Sequence, residues 1–271
     1  MTKIAELVCY PIKGCAGTPM VDAVMTPAGL AHDRSFMVVN DDGVFRSQRR
    51  DPRLALVRPD ISADGEHLSL HAPGVGSATI TVDSTGKRQG VELFGAPFKG
   101  IDQGATAAEW LSGFLGAPSR LVRVPPEHDR VSGGATPGVT GYADSSPVHL
   151  LSQASLELLN DKLATPVQMN RFRPNIVVTG WDEPHVEDRI RRISLGDVEL
   201  GYAKLAIRCA VTTVEQESGI KRGPEPLRTL ATYRRAREGG LSFGSKFSVL
   251  QAGKLSVGDA VVVDEWGESE F

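Results

Sequence analysis

Ala206-Ile207-Arg208-Cys209-Ala210-Val211-Thr212-Thr213-Val214 organises the reading of this chain, together with Arg171-Phe172-Arg173-Pro174-Asn175-Ile176-Val177-Val178 upstream of it. Both stretches carry the apolar, β-branched runs of strands, predicted over 175–179 and 209–214. A single thiol between an arginine and two threonines is a candidate metal ligand rather than half of a crosslink. Thiolates are soft ligands, and a nearby cation favours the deprotonated form that binds metal. A plainer reading stands beside it, because a lone cysteine in a strand commonly serves as a small buried hydrophobe. Arg171 and Arg173 alternate about Phe172, which also fits two side chains pointing to solvent from a strand edge. Asn175, following Pro174, fits the entry to a strand equally well.

Working outward, the first hundred residues read as short strands over 3–10, 34–40, 54–61, 67–70 and 78–83. Turn signals separate them at Asp41-Asp42-Gly43, Ala63-Asp64-Gly65 and Ser84-Thr85-Gly86. Such spacing favours an antiparallel sheet or barrel over βαβ units. Helical patterns run from Ala105 to Leu115, begun by Thr106 and closed by Gly116, and from Ser152 to Leu163. Residues 124–146 are rich in Pro, Gly, Ser, Thr and Asp and read as a linker or an active-site loop. Strands return at 175–179, 192–195, 198–205, 209–214, 247–249 and 260–263, with one helix predicted over 227–237. The fold class is therefore mainly β with a few helices (α+β), a β-barrel-like N-terminal domain joined to a second β-barrel domain. The boundaries are 1–123, a loop at 124–146, and 147–271.

The 271 residues are 41% hydrophobic and 23% charged with a net charge of −3, values of an ordinary globular protein with ample core. That balance gives no reason to expect nucleic acid or an anionic membrane as a partner. No apolar run approaches the roughly 20 residues of a bilayer span, and the N-terminus alternates like a strand rather than a secretory signal. The expected location is the cytoplasm. Three cysteines make no disulfide framework, which suits a reducing compartment. Cys9 reads as an apolar strand residue. Arg49, Arg50 and Arg53 read as a solvated turn, and His149, in an apolar run, as a packing residue. His185 with Asp182, Glu183, Glu187 and Asp188 reads as an acidic solvated loop rather than a zinc site.

Three N-terminal stretches, Tyr10-Pro11-Ile12-Lys13-Gly14-Cys15, Gly29-Leu30-Ala31-His32-Asp33-Arg34 and Ser47-Gln48-Arg49-Arg50-Asp51-Pro52, join Asp102-Gln103-Gly104, Tyr142-Ala143-Asp144-Ser145-Ser146-Pro147 and the Cys209 segment in one pattern. Glu225-Pro226-Leu227, Phe243-Gly244 and Val257-Gly258-Asp259 complete it in the same order. Together they resemble the MOSC proteins of the amidoxime-reducing component family. That resemblance implies an N-terminal MOSC β-barrel domain followed by a MOSC domain, carrying molybdenum cofactor, a metal held by a pterin dithiolene with a phosphate.

The implied site places Cys209 as the molybdenum ligand and catalytic thiol. Lys13, Arg34 and Arg173 are the implied cations for phosphate or pterin, since guanidinium forks bind such groups bidentately. Asn175, with its paired donor and acceptor, suits the pterin edge, and Asp102, Gln103, Ser145 and Ser146 join by motif position. Three departures stand out: Gly14 where a serine is usual, Ala206 where a second cysteine is usual, and no Asp-Pro after Val214. With no cysteine-rich extension for an iron–sulfur domain, the resemblance implies separate electron-transfer proteins, whether iron–sulfur, flavin or haem carriers. The implied activity is reduction of small N-hydroxylated compounds: amidoximes, hydroxylamines or hydroxamic acids. The alternative is a carrier that holds molybdenum cofactor or persulfide sulfur without turnover.

Overall fold

The structure, a computed structural model, describes every residue from Met1 to Phe271. Strands dominate, with three α-helices at Ala105–Leu115, Gln153–Asp161 and Leu227–Leu230. The strands gather into two bodies. In the larger, eight strands lie in the order Val261–Trp266, Ile190–Leu195, Val198–Arg208, Leu241–Gln251, Val148–Ser152, Ile176–Thr179, Lys3–Cys9 and Thr18–Met20. Lys3 also bridges Ala260, beside the strand at the far end, so the sheet closes on itself. Closure removes exposed edges and encloses a core. Ile4, Leu7, Leu150, Ile176, Ile193, Leu200 and Phe247 fill it, each at most 1% exposed.

One pair in this barrel is parallel, Val148–Ser152 beside Ile176–Thr179. A parallel pair needs a crossover, here supplied by the helix Gln153–Asp161. Ser152 caps that helix, its hydroxyl accepting from the Ser155 backbone N–H at 3.1 Å.

The smaller body is a five-stranded sheet in the order Arg88–Leu93, Ala96–Asp102, Arg120–Arg123, Phe36–Val39 and Ile12–Lys13, with a three-stranded sheet, Arg58–Ile61, His67–His71 and Ala78–Thr81, and the first helix. The strand Phe36–Val39 explains its own composition. Phe36 and Val38 pack into one cluster with Leu54, Leu70 and Leu111, while Met37 and Val39 pack into another with Val91, Val122 and Tyr142. A strand covered on both faces reads as an unbroken apolar run.

The N-terminal residues serve both bodies. Lys3–Cys9 pairs antiparallel with Ile176–Thr179, Asp22–Thr26 pairs with Gly253–Ser256, and Ile12–Lys13 crosses to the five-stranded sheet. Lys13 therefore leaves the barrel just where the two bodies meet.

Several elements differ from their sequence expectation. The predicted strand 209–214 is a 3-10 turn, Ala210–Thr213, in which the Thr212 and Thr213 hydroxyls donate to the carbonyls of Cys209 and Ala210 at 3.0 and 2.8 Å. Threonine hydroxyls turning back on the chain compete with a sheet ladder. The predicted helix 227–237 stops at Leu230, because Arg234 is drawn into a buried ion pair with Asp188 at 2.6 Å and Arg235 forms a β-bridge to Leu241. The predicted strand 54–61 begins as a 3-10 helix, Pro52–Leu56. The first α-helix is capped by Gly104 rather than Thr106. The expected acidic solvated loop is also corrected. Glu187 and Asp188 are 0% and 1% exposed, with Glu187 accepting from the Ser155 hydroxyl at 2.8 Å and Asp188 paired with Arg234.

Candidate functional site

The two bodies meet over a cavity of about 290 Å³. The smaller body supplies Lys13, Phe45, Gln48, Arg49 and Phe94. The barrel supplies Lys204, Arg208 and Cys209 from the end of Val198–Arg208, and Lys246 from Leu241–Gln251; Arg34, Arg173 and the loop Ala143–Ser146 close the floor. Cys209 follows the last strand residue and is partly exposed, whereas Cys9 and Cys15 are buried. It is thus the thiol that faces the cavity.

Charge in the cavity is lopsided. Seven lining residues are cationic, Lys13, Arg34, Arg49, Arg173, Lys204, Arg208 and Lys246, against one carboxylate, Asp144. An enclosure lined by one sign of charge concentrates ions of the other.

The floor is held rigidly. Arg34 Nη1 donates to Asp33 Oδ2 at 2.5 Å and to Asn175 Oδ1 at 2.9 Å, and Asn175 Nδ2 donates to Asp33 Oδ1 at 3.0 Å. Asn175 stands behind Arg34 rather than in the lining, so it orients the guanidinium. Arg34 and Arg173 both stack on Tyr10, at 4.5 and 4.2 Å from its ring centroid. Two cations against one ring are tolerated because aromatic faces carry negative charge density. Arg173 Nη1 also donates to the Cys15 carbonyl at 2.6 Å. Lys13 pairs with Asp144 and lies over the rings of Phe45 and Phe94 at 5.1 and 4.9 Å.

Backbone strain gathers at the same place. Five non-glycine residues have positive φ, and three of them, Arg34 at 46°, Phe94 at 54° and Arg173 at 56°, line the cavity. Each such residue costs on the order of 1–3 kcal/mol and persists only where its surroundings hold it. Gly14 has φ 81°, so a serine there would be strained. The glycine suits its backbone.

Three buried donors on lining residues have no partner: Ser146 Oγ, Arg173 Nη2 and Arg208 Nε. An unsatisfied buried polar group costs about 1–3 kcal/mol, and three lining residues each keep a donor that no protein group satisfies.

Burial shapes the titration of these cations. Burial pushes the Lys246 ammonium down to about 7, with repulsion from Arg34 and Arg208 adding to it. Burial likewise lowers Arg208 to about 10 and lowers Arg173. Lys13 is lowered by burial against the opposing pull of Asp144. Burial works against the Asp144 carboxylate, but Lys13 overrides it and holds the group below the ordinary carboxylate range.

The sequence-predicted residues divide. Lys13, Arg34, Ser145, Ser146, Arg173 and Cys209 share the cavity. Asp102 and Gln103 lie apart from it. Asp102 pairs with Arg120, and Gln103 Nε2 donates to the carbonyls of Asp83 and Ile101 at 3.0 and 2.9 Å while its Oε1 accepts from the Asp83 N–H at 3.0 Å. Their motif position thus serves a loop. Arg49, read as part of a solvated turn, lines the cavity and lies over the Phe94 ring at 5.3 Å. Arg208, the cation that the sequence sets beside the Cys209 thiol, also lines the cavity; Lys204 and Lys246 were not singled out by sequence, and each occupies a strand position that becomes a wall only when the second body covers it.

Comparison with known proteins agrees with this architecture. Residues 1–118 match the MOSC N-terminal beta barrel domain and residues 137–262 the MOSC domain. The mitochondrial amidoxime reducing component 2 of Rattus norvegicus is 36% identical over 95% of this chain and 82% of its own. The mitochondrial amidoxime-reducing component 1 of Homo sapiens is 34% identical over the same shares, 95% and 82%. The chain belongs to the amidoxime-reducing component family of MOSC proteins. The crystal structure of the YUAD protein from Bacillus subtilis is a remote likeness, 11% identical with a TM-score of 0.42 over 96% of this chain and 94% of its own.

Proposed function

We propose that this protein is a molybdenum cofactor-dependent reductase of N-hydroxylated compounds, fed by separate electron carriers. The observation that supports it is the meeting of one reachable thiol, six cations in excess of carboxylate (seven less one) and three unspent donors in a single cavity. Molybdenum cofactor asks for that set: a thiolate for the metal, cations for a phosphate, donors for a heterocycle. The relatives' name, amidoxime-reducing component, fits both the substrate class and a multi-protein electron supply.

Cys209 would ligate the metal. Arg34, aimed by Asp33 and Asn175, and Arg173, fixed on Tyr10, would hold the anionic part of the cofactor, with Lys13 beside them. Ser145 and Ser146 would meet the pterin edge. When bound, the cofactor supplies two-electron redox chemistry: the N–O bond breaks and, with two electrons and two protons, an amidoxime gives an amidine and water. The protein's share is ligation, orientation and field. The stacked and hydrogen-bonded arginines need no rearrangement to meet an anion, which is the advantage of a preorganised site. Three unpaired cysteines suit a reducing compartment such as the cytoplasm. No helix is long and apolar enough to cross a membrane.

Protein made in a cofactor-producing host, given a chemical reductant and benzamidoxime, tests this. Benzamidine is expected. Cofactor bound without turnover would replace the reductase by the carrier reading.

A further inference from the structure

Lys204 and Lys246 occupy directly opposed positions on neighbouring antiparallel strands, and His149 opposes Lys246 on the next strand, so the three share one face of the barrel sheet. Their neighbours in register, Tyr202 with Phe247 and Val148 with Phe247, point into the barrel core. Lys246 and His149, one residue from Phe247 and Val148, therefore face outward, and a β-bulge between Tyr202 and Lys204 brings Lys204 to the same side; Lys204 and Lys246 both line the cavity. Like charges directly opposed across a sheet repel. Neither ammonium has a salt bridge, and neither lies over an aromatic ring, although ten acid–base pairs and twelve cation–ring contacts occur elsewhere in the chain.

The rest of the row offers no relief. His149 is 1% exposed with both ring nitrogens unpartnered, and burial keeps it neutral, its titration pushed well below the ordinary range. Arg34 and Arg208 add repulsion at Lys246, and the attraction of Asp144 and Asp33 is the smaller influence. Asp144 is already engaged by Lys13, and Asp33 by Arg34. Two lysines at opposed strand positions line one cavity without a carboxylate of their own, Asp144 and Asp33 being taken, and what they lack is an anion. The floor cations, Lys13, Arg34 and Arg173, are fixed by their own partners around Tyr10 and Asp144, whereas Lys204 and Lys246 have no such partners; Ile207, an exposed apolar residue, shares the same lining.

We propose that Lys204 and Lys246 form an anion subsite for the substrate, so that this enzyme prefers N-hydroxylated compounds bearing a carboxylate or similar oxyanion over neutral ones. This rests on the reductase reading and deepens it. The apolar body of such a substrate would lie against Ile207 and Val211, which line the same cavity, with its anionic end between the two lysines.

The test uses the full holoprotein and its Lys204→Met, Lys246→Met and Lys246→Arg variants. Binding of two unreactive probes, 4-carboxybenzamide and benzamide, is measured by calorimetry, and reduction of 4-carboxybenzamidoxime and benzamidoxime is measured with a chemical reductant. The wild type is expected to bind and reduce the carboxylated member of each pair about tenfold better, the worth of one charge-assisted contact. Each Met variant is expected to lose most of that preference, chiefly in KM, while Lys246→Arg keeps it. Equal binding of the two amides by the wild type, or a preference that survives both Met substitutions, overturns the subsite. Loss of pterin from the Met variants also overturns it, by assigning the lysines to the cofactor. If the amides are discriminated and neither amidoxime is reduced, the reductase reading fails while the anion subsite stands.

Discussion

The Asp102-Gln103 corner and the cavity around Cys209 are both dense in polar side chains, and they differ in whether those groups are spent. At the corner, Asp102 is paired with Arg120 and also accepts from the Gly104 N–H at 2.8 Å, and every polar atom of the Gln103 amide has an internal partner. In the cavity, Ser146, Arg173 and Arg208 keep unpartnered buried atoms, and Lys204 and Lys246 have no carboxylate of their own. A polar cluster that has satisfied itself holds the fold; one that has not is prepared for something else.

That contrast is sharpest within the cavity, where the Asp33–Arg34 pair is itself fully satisfied. Asp33→Ala leaves Arg34, 9% exposed, without its ion pair. The expected loss is about 3–5 kcal/mol, read by chemical denaturation of the cofactor-free protein. A loss below about 1 kcal/mol would mean that water replaces the pair.

Gln103→Ala tests the opposite corner. Stranding the Asp83 N–H and the Asp83 and Ile101 carbonyls is expected to cost about 1–3 kcal/mol with no change in cofactor content. A cofactor deficit in a folded Gln103→Ala protein would break the division between the two regions.

Lys246→Met probes the unspent side. The folded ammonium titrates at about 7 against an ordinary 10.5, so between those values the unfolded chain holds a proton that the folded chain lacks. Stability of the cofactor-free wild type therefore rises with pH across that window. Lys246→Met is expected to flatten the rise, by on the order of 1–2 kcal/mol once solvent screening is allowed for. Denaturation midpoints at pH 7 and pH 10 for both proteins decide it.

Ser146→Ala is expected to do least. Its hydroxyl is buried without a partner, so removing it should change stability by no more than about 0.5 kcal/mol. A larger loss would show that the hydroxyl is already engaged in the cofactor-free protein.

Much of this arrangement was legible in the sequence. Alternation and turn chemistry located ten of the 23 strands and passed over others such as Ala96–Asp102, Arg120–Arg123 and Val148–Ser152, while the motifs around Lys13, Arg34, Ser145, Arg173 and Cys209 named residues that the fold brings into one cavity from points far apart in the chain. What escaped was non-local. Lys246 stands in Ser245-Lys246-Phe247, an alternation that reads as an ordinary outward strand position; only the packing of the smaller body over the barrel turns that face into a wall. Glu187 and Asp188 looked solvated because nothing local announces the partners Ser155 and Arg234. The same distant pull of Asp188 on Arg234 ended the predicted helix early. Asp102 and Gln103 lie apart from the cavity for the converse reason, since a motif position does not say whether its hydrogen bonds end in the protein or in a ligand.

The most direct test of the account is the molybdenum and pterin content of wild type and Cys209→Ser, both purified from a host that makes the cofactor. Near-stoichiometric molybdenum and pterin in the wild type, with molybdenum lost or loosened in Cys209→Ser, is the predicted result. A wild type containing neither, or a Cys209→Ser protein that holds molybdenum as tightly as the wild type, would contradict it.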